Sequence, residues 1–402
     1  MHLGNEIKEK LEILGKISET EEGVTRLYLT KEYLEARDLI EKWMIEAHLD
    51  TSIDAVGNLI GSYKSPESNN KTLVIGSHQD SVKNGGKYDG ILGVILPIVT
   101  VKKLLQKYKS LPCNLKIISF AYEEGISFPN ACMTSKAIAG TFSQELLNLE
   151  YSGKKLYEQL KEYNFNPDNI DSCKVNNIDS FLEVHIEQGP VLEAENLPVG
   201  IVSRIQACNR YKVTVYGEAG HSGTIPMNMR KDTVTTMSEI IYKSTEFIKS
   251  LENIVITFGK VDIFPGAVNI IPAKSEFTID IRGPENSELI NIMKDIENII
   301  KSAIEKNKMK YELQFTNQII ETKCSNSVIE RLKKSFNNQN QKIFLLPSGA
   351  GHDAQEMEKV TNIGMLFVRC VKGISHSPEE DVRVNDLDIA ANIIADYIIN
   401  FK

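Results

Sequence analysis

Several protein classes are excluded by what the 402-residue sequence lacks. Its six cysteines never form a CxxC pair, so we expect free thiols in a reducing cytoplasm and no thiolate metal site. No apolar run approaches the ~18 residues of a membrane span, and the N-terminal residues show no signal-peptide core. The formal net charge of -8 argues against a nucleic-acid partner, because such partners need clustered Lys and Arg.

Three common catalytic signatures are missing as well. The sequence has no GxSxG elbow, and Ser348-Gly349 lacks the strand-to-helix context of a nucleophilic serine. It also has no GxxxxGK(S/T) phosphate loop and no GxGxxG dinucleotide fingerprint. Serine-nucleophile, P-loop and dinucleotide chemistry are therefore disfavoured.

The apolar pattern predicts two domains, as the length also suggests. Helix spacing at 5–18 and 31–48 is followed by a strand at 72–76, a helix at 91–108 and a strand at 115–122. This alternation of strands and helices is typical of an α/β domain with a mostly parallel sheet.

The pattern then changes to period-two alternation, which predicts antiparallel strands with one solvent-exposed face. The alternating segments are 211–216, 277–282 and part of 254–258, and two amphipathic helices are predicted at 232–250 and 286–306.

The α/β pattern resumes near residue 325, with a strand at 365–368 and a helix at 385–400. We therefore predict a catalytic α/β domain formed by residues 1–208 and 325–402. An inserted α+β domain at 209–324 is predicted to have a four-stranded antiparallel sheet and two helices.

The segment His78-Gln79-Asp80 places an imidazole and a carboxylate directly after the apolar run 73–75, and Asp89 follows in a glycine-rich loop. Open α/β sheets bind their ligands at the carboxyl ends of the strands. A histidine and an aspartate fixed by such a loop suggest metal ligands.

Glu123-Glu124 follows the predicted strand at 115–122. Adjacent side chains at a strand end point to opposite sides, so one carboxylate can bind a metal while the other stays free as a general base. Taken alone, such a pair is more typical of a solvated acidic turn.

Three further histidines occupy similar contexts: His185 in an apolar strand, His352 in a glycine-rich segment and His376 on a turn. Taken singly, His185 is more typical of a hydrogen-bonded core residue, and His376 fits a surface turn equally well. Together with the carboxylates, and without cysteine, they favour zinc, manganese or cobalt in a hydrolytic site. One carboxylate that bridges two ions would form a two-metal centre.

Seven motifs in this sequence resemble the M20-type metallo-amidases, specifically the hydantoinase/carbamoylase branch. They are GSHQDSVKNGGKYDGILGV, EEGISFPNACMTSKAIAG, EVHIEQGPVLE, GEAGHSGTIPM, NIIPAKSEFTIDIRG, SGAGHDAQEM and GISHSPEE, and they run in order from residue 76 to 380.

The resemblance implies two divalent ions per subunit, which could be Zn, Mn, Co or Ni. The implied ligands are His78, Asp89 and His185 for one ion, and Asp89, Glu124 and His376 for the other. Glu123 is implied as the general base, and Asp80 as the carboxylate that orients His78.

The resemblance also implies that the inserted domain is a lid and dimerisation domain, and hence that the protein is a homodimer. His221 is implied to stabilise the oxyanion in a neighbouring subunit's active site. Asn269 and Arg282 are implied to bind the substrate carboxylate, for which a planar guanidinium is suited. Gln188 is implied to contact the ureido group, and His352 to make a polar contact near the metals.

The implied reaction is hydrolysis of the ureido C–N bond of an N-carbamoyl amino acid or of allantoate, with release of ammonia and carbon dioxide or a ureido product. Two alternatives remain. An aminoacylase or dipeptidase of the wider M20 group usually places a carboxylate where His185 stands. A non-catalytic metal-dependent binding protein is disfavoured by the presence of Glu123 and of every proposed ligand.

Overall fold

The computed structural model of the protein describes residues 1–67 and 71–401. The chain divides into two compact units. The first contains Met1–Ser203 and Lys323–Lys402, and the second contains Arg204–Thr322. The chain thus leaves the first unit, builds the second and returns to the first.

The strands in chain order are β1 (Asp50–Ile53), β2 (Leu59–Tyr63), β3 (Thr72–His78), β4 (Asn114–Phe120), β5 (Glu150–Tyr151), β6 (Lys154–Lys155), β7 (Ser180–Ile186), β8 (Val199–Ile205), β9 (Ala207–Tyr216), β10 (Gly220–His221), β11 (Val255–Thr257), β12 (Val261–Phe264), β13 (Ile270–Ile271), β14 (Lys274–Gly283), β15 (Lys310–Ile319), β16 (Thr322–Lys323), β17 (Leu345–Ser348) and β18 (Asn362–Val368).

The α-helices are α1 (Gly4–Leu14), α2 (Lys31–Glu46), α3 (Leu92–Lys107), α4 (Met133–Ala139), α5 (Leu156–Glu162), α6 (Val191–Ala194), α7 (Thr233–Lys249), α8 (Asn286–Lys306), α9 (Asn326–Asn338), α10 (Ala354–Met357) and α11 (Val384–Ile399). Short 3-10 helices span Gln144–Asn148, Pro167–Cys173, Met227–Met229 and Val371–Gly373. Across residues 1–67 and 71–401, no helix has both the length and the apolar character that a membrane crossing requires.

The first unit is built on a mixed sheet with the strand order β1-β2-β4-β3-β7-β18-β8, and β17 also pairs with β8. Its centre is parallel, because β4 pairs with β3, β3 with β7 and β7 with β18 in the same direction. The carboxyl ends of these four strands therefore lie at one edge of the sheet. The predicted site residues lie at that edge, on β3 and β7 and in the segments that follow β4 and β18.

The prediction of a mostly parallel sheet was wrong outside this centre. The β1–β2, β2–β4 and β18–β8 pairs are antiparallel. Only residues 54–58 link β1 to β2, and so short a link permits an antiparallel pair, whereas parallel strands need a longer crossover.

The central strands are covered on both faces. All seven residues of β3 are buried, and so are all seven of β7. Helix α3 packs against β3, α1 and α11 and is itself buried over most of its surface. This burial explains why the strands are continuous apolar runs in the sequence.

The second unit has an antiparallel sheet in the order β11-β14-β9-β15, with β12 also paired to β14. Buried and half-exposed residues alternate along β14, and its buried side chains share a core with those of α7 and α8. The sheet has five strands and not the predicted four, because β11 and β12 divide one edge of β14 between them.

Most helices and strands predicted from apolar spacing are confirmed. The helices expected at 91–108, 232–250 and 286–306 are α3, α7 and α8, and the strand expected at 365–368 is the end of β18. Strand β15 was not predicted, although Tyr311, Leu313 and Phe315 alternate with polar residues in its first half.

Candidate metal centre

His78 and His185 are buried and face each other at the carboxyl edge of the parallel strands. Their Nε2 atoms lie 3.4 Å apart. The Nδ1 atoms lie 2.9 Å from the Asp80 carbonyl oxygen and 2.8 Å from the Ile186 carbonyl oxygen. A carbonyl oxygen only accepts hydrogen bonds, so Nδ1 carries the proton in each ring and the Nε2 atoms are left facing each other. A cation, either a shared proton or a metal ion, is needed between them.

Asp89 contacts His185 and a third histidine, His376. Its Oδ1 lies 3.4 Å from His185 Nε2, and its Oδ2 lies 2.9 Å from His376 Nε2. Burial opposes ionisation, but the hydrogen bond from His376 and the charges of the surrounding imidazoles hold the pKa of Asp89 below its usual range. Asp89 is therefore an ionised carboxylate placed between two sets of ligands.

Gly90 allows the Asp89 loop to pass close to the His78 ring. Its φ of +66° lies in the left-handed region, and a Cβ at this position would lie 2.3 Å from His78 Cε1. Both the backbone conformation and the space therefore require glycine.

Asp80 fixes the two glutamates through their backbone. Its carboxylate oxygens accept the N–H groups of Glu123 at 2.9 Å and Glu124 at 3.2 Å. The Asp80 carboxylate also lies 3.5 Å from His78 Nδ1, whereas the Asp80 carbonyl oxygen is closer, at 2.9 Å. Asp80 thus links the end of β3 to the segment that follows β4.

The two oxygens of Glu123 have different neighbours. Oε2 lies 4.0 Å from His78 Nε2, and Oε1 accepts a hydrogen bond from Cys132 Sγ at 3.3 Å. Burial raises the pKa of Glu123 to about 7, with the charge of His78 opposing the rise and that of Asp80 adding to it. Burial, together with the charges of Asp89 and Glu123, also raises the pKa of Glu124.

The donor set fits divalent cations. Ligand atoms that lie within 4.8 Å of one another form the groups His78–Asp89–His185, Asp89–Glu124–His376, His78–Glu123–Glu124 and Glu183–His185–His352. The first two groups are the two predicted ligand sets, and they share Asp89. Among the residues that the structure describes, Glu124 Oε1 is buried without a hydrogen-bond partner, which is the condition expected of an oxygen that a cation satisfies. Imidazole and carboxylate donors suit Zn, Mn, Co and Ni.

Gln188 and His352 border the same cluster. Gln188 Nε2 donates to both Asp89 oxygens, at 3.1 and 3.2 Å, and lies 3.2 Å from His376 Nε2. The buried His352 ring packs edge-on against His185 with their centroids 4.5 Å apart, and its Nε2 lies 2.7 Å from Ser348 Oγ. Burial lowers the pKa of His352 well below its ordinary value, so this ring is neutral.

Glu183 is a member of the cluster that sequence reasoning missed. Its carboxylate accepts hydrogen bonds from Ser77 Oγ and the Ala354 N–H, both at 2.9 Å. Burial raises the pKa of Glu183 to about 8. A signal was present, because residues two apart on a strand share one face and Glu183 precedes His185 by two.

His221 and Asn269 lie together in the second unit. Strand β10, which ends at His221, pairs with β13, and the Ser222 N–H donates to the Asn269 carbonyl oxygen at 3.1 Å. The exposed His221 ring accepts the Gly223 N–H on Nδ1 at 3.0 Å. In the neutral ring Nε2 is therefore the protonated nitrogen and can donate a hydrogen bond.

Arg282 lies on β14 of the second unit, with its guanidinium against Asp280. Arg282 Nε is 2.8 Å from Asp280 Oδ1, and Arg210 Nε is 2.8 Å from Asp280 Oδ2. These three side chains line a cavity of about 440 Å³. Two guanidinium groups and one carboxylate leave this cavity with a net positive charge.

Known proteins match this chain over most of its length. A family model described as peptidase family M20/M25/M40 matches residues 74–400. An N-carbamoyl-L-amino-acid amidohydrolase of Pseudomonas sp. (strain NS671) is 37% identical over 404 residues, which cover 98% of each chain. An allantoate amidohydrolase of Bacillus subtilis (strain 168) is 33% identical over 405 residues, which cover 98% of this chain and 97% of that one. A crystal structure of an amidase of the hydantoinase/carbamoylase family from Burkholderia multivorans aligns with a TM-score of 0.92 and 27% identity, and covers 98% of this chain and 97% of that one.

Proposed function

The chain belongs to peptidase family M20/M25/M40, and from that premise we propose that it is an amidohydrolase that cleaves the ureido C–N bond of an N-carbamoyl amino acid or of allantoate. The resemblance inferred from the seven motifs is confirmed by relatives of both kinds that match over almost the whole chain. The observation that carries the proposal is the pair of ligand groups sharing Asp89.

Two divalent ions, which could be Zn, Mn, Co or Ni, are proposed for these groups. His78 and His185 would hold one ion and Glu124 and His376 the other, with Asp89 shared between them. When bound, the ions supply Lewis acidity at the substrate carbonyl and the attacking water. The carbonyl oxygens of Asp80 and Ile186 accept hydrogen bonds from Nδ1 of His78 and His185, which leaves Nε2 of each ring free to bind an ion.

Glu123 is proposed as the general base. Its carboxylate is buried beside the ligand cluster and has Oε2 directed towards His78. A pKa of about 7 suits a group that takes a proton from water and then gives it to the leaving nitrogen. For an N-carbamoyl amino acid, one water and one substrate then give the amino acid, carbon dioxide and ammonia.

Substrate binding is proposed for both units. Gln188 has its amide at the cluster and would contact the ureido group, and His352 would add a neutral polar contact there. In the second unit, Asn269 and Arg282 would bind the substrate carboxylate, and His221 would donate Nε2–H to the developing oxyanion.

We also propose a homodimer in which the second unit acts as lid and dimerisation domain, with His221 serving the active site of the neighbouring subunit.

All six cysteines are buried, unpaired thiols, which supports a reducing compartment such as the cytoplasm.

A substrate panel tests the proposed function. Ammonia release should be measured from N-carbamoyl-L-amino acids, N-carbamoyl-β-alanine and allantoate, with protein reconstituted with Mn, Zn or Co and with a chelated control. The expected result is metal-dependent ammonia release from at least one ureido acid. Cleavage of dipeptides or N-acyl amino acids alone would replace the proposal with the aminoacylase or dipeptidase function. Metal binding without turnover of any substrate would support a binding protein.

A further inference from the structure

Glu380 joins the two loops that carry Asp89 and His376. It lies 292 residues from Tyr88 in sequence, yet its Oε1 accepts the N–H groups of Tyr88 at 2.8 Å and Asp89 at 3.1 Å. Its Oε2 accepts the hydroxyl of Ser375, the residue before His376, at 2.8 Å. One carboxylate therefore holds the backbone of Asp89 and the residue that leads into His376.

The site around Glu380 is built to hold it. The residue is 3% exposed. A Cβ on Gly86 would lie 2.0 Å from Glu380 Oε1, so the loop before Asp89 has no side chain where the glutamate enters. Gly86 is needed for space and not for its backbone conformation, since its φ is not in the left-handed region.

His376 depends on the hydrogen bonds of Glu380 more than the other histidines do. Its side chain is 49% exposed, whereas those of His78 and His185 are 3% and 1% exposed. His78 and His185 are also held by hydrogen bonds to backbone carbonyl oxygens. His376 has a φ of +54°, on a turn outside any helix or strand, so neither burial nor regular structure fixes its position.

We propose that Glu380 is a positioning residue that sets the distance between Asp89 and His376, and thereby the affinity of the ion held by Asp89, Glu124 and His376. This inference rests on the proposed two-ion centre. The ion held by His78, Asp89 and His185 depends less on Glu380, because both of its histidines have their own backbone contacts.

Metal affinity tests the role of Glu380 without reference to turnover. Metal content is measured by mass spectrometry and affinity by competition with a chromogenic chelator, in the full-length protein and in four variants. Glu380→Ala and Ser375→Ala each remove the tie to His376, and Ser375→Ala leaves the Tyr88 and Asp89 contacts in place. Glu379→Gln is the matched control, because Glu379 is exposed.

Glu380→Gln is the conservative variant. Its amide oxygen can still accept the two backbone N–H groups, and its amide nitrogen can donate to the Ser375 hydroxyl, so the geometry of the tie is kept. Glu380→Gln removes the negative charge, so it would weaken metal binding if Glu380 acted through its charge alone.

In Glu380→Ala and Ser375→Ala, the expected result is that one ion is weakened about 10- to 100-fold and the other ion is weakened less. Binding of both ions should be near normal in Glu380→Gln and Glu379→Gln. Unchanged binding of both ions in Ser375→Ala overturns the inference even if Glu380→Ala fails to fold. Equal losses in Glu380→Gln and Glu380→Ala also overturn it. If the unaltered protein binds fewer than two ions, the two-ion centre fails and the role of Glu380 fails with it.

Discussion

His78 and His185 direct their Nε2 atoms at each other across 3.4 Å, while Nδ1 of each ring already contacts a backbone carbonyl oxygen. Two nitrogens so arranged repel unless a cation lies between them. Asp89 approaches the same point, with Oδ1 3.4 Å from His185 Nε2. Backbone carbonyl oxygens thus orient the two imidazoles before any ion binds, which is the condition for a preorganised metal centre.

The first prediction concerns Glu123. Glu123→Gln should retain both ions and lose about 10²- to 10⁴-fold in kcat, because an amide cannot take a proton from water. Steady-state kinetics on the metal-loaded variant, with metal content measured on the same sample, checks this. Full activity with both ions bound would show that another group is the base.

The second prediction concerns Cys132, whose Sγ donates to Glu123 Oε1 at 3.3 Å. Cys132→Ala should lower kcat by about 3- to 10-fold with little change in KM, because Glu123 loses a hydrogen bond worth about 1 kcal/mol. Cys132→Ser keeps a donor at this position and should restore most of the loss. Equal activity in the two variants would mean that the thiol does not orient Glu123.

The third prediction concerns pH and metal removal. Burial raises the pKa of Glu123 and of Glu380 to about 7 and that of Glu183 to about 8. A carboxyl group whose pKa is higher in the folded than in the unfolded protein stabilises the fold fully below its unfolded value of about 4.3. That contribution is lost as the pH rises towards 7–8.

Divalent ions should reverse this loss, because they favour the ionised carboxylates. The increase in Tm caused by metal should therefore be larger at pH 8 than at pH 6. Differential scanning fluorimetry of chelated and metal-reconstituted protein at the two pH values measures this increase. The same gain at both pH values would contradict the ionisation of these buried carboxylates on metal binding.

The fourth prediction concerns Arg282. Arg282→Ala should raise KM for ureido acids by about 10- to 100-fold, the equivalent of losing a charged hydrogen bond. Arg282→Lys should not restore KM, because a lysine cannot reproduce the planar fork that also contacts Asp280. Arg204→Ala, which removes a 3.7 Å contact with Glu285, is the control. An unchanged KM in Arg282→Ala would remove Arg282 from carboxylate binding.

The strand ends could be predicted from sequence because they depend on local patterns. Apolar runs that end in His78 and in Glu123-Glu124 marked the sheet edge, and the parallel centre of the sheet brings those ends together. The antiparallel flanks could not be derived in the same way. They depend on which strand pairs with which, and the short, mostly exposed β1 carries little apolar pattern.

The supporting residues were beyond sequence reasoning for a related reason. Glu380 and Cys132 lie inside two of the quoted motifs, GISHSPEE and EEGISFPNACMTSKAIAG, but their contacts join distant or irregular segments. Cys132 adopts a φ of +53°, and Glu380 contacts a residue 291 positions away. Such contacts follow from the tertiary fold and not from local spacing.

Anomalous diffraction from crystals of manganese-reconstituted protein tests the central claim most directly. The account predicts two peaks on opposite sides of the Asp89 carboxylate, one in contact with His78 and His185 and the other with Glu124 and His376. A single peak, or two peaks that do not share Asp89, would contradict it.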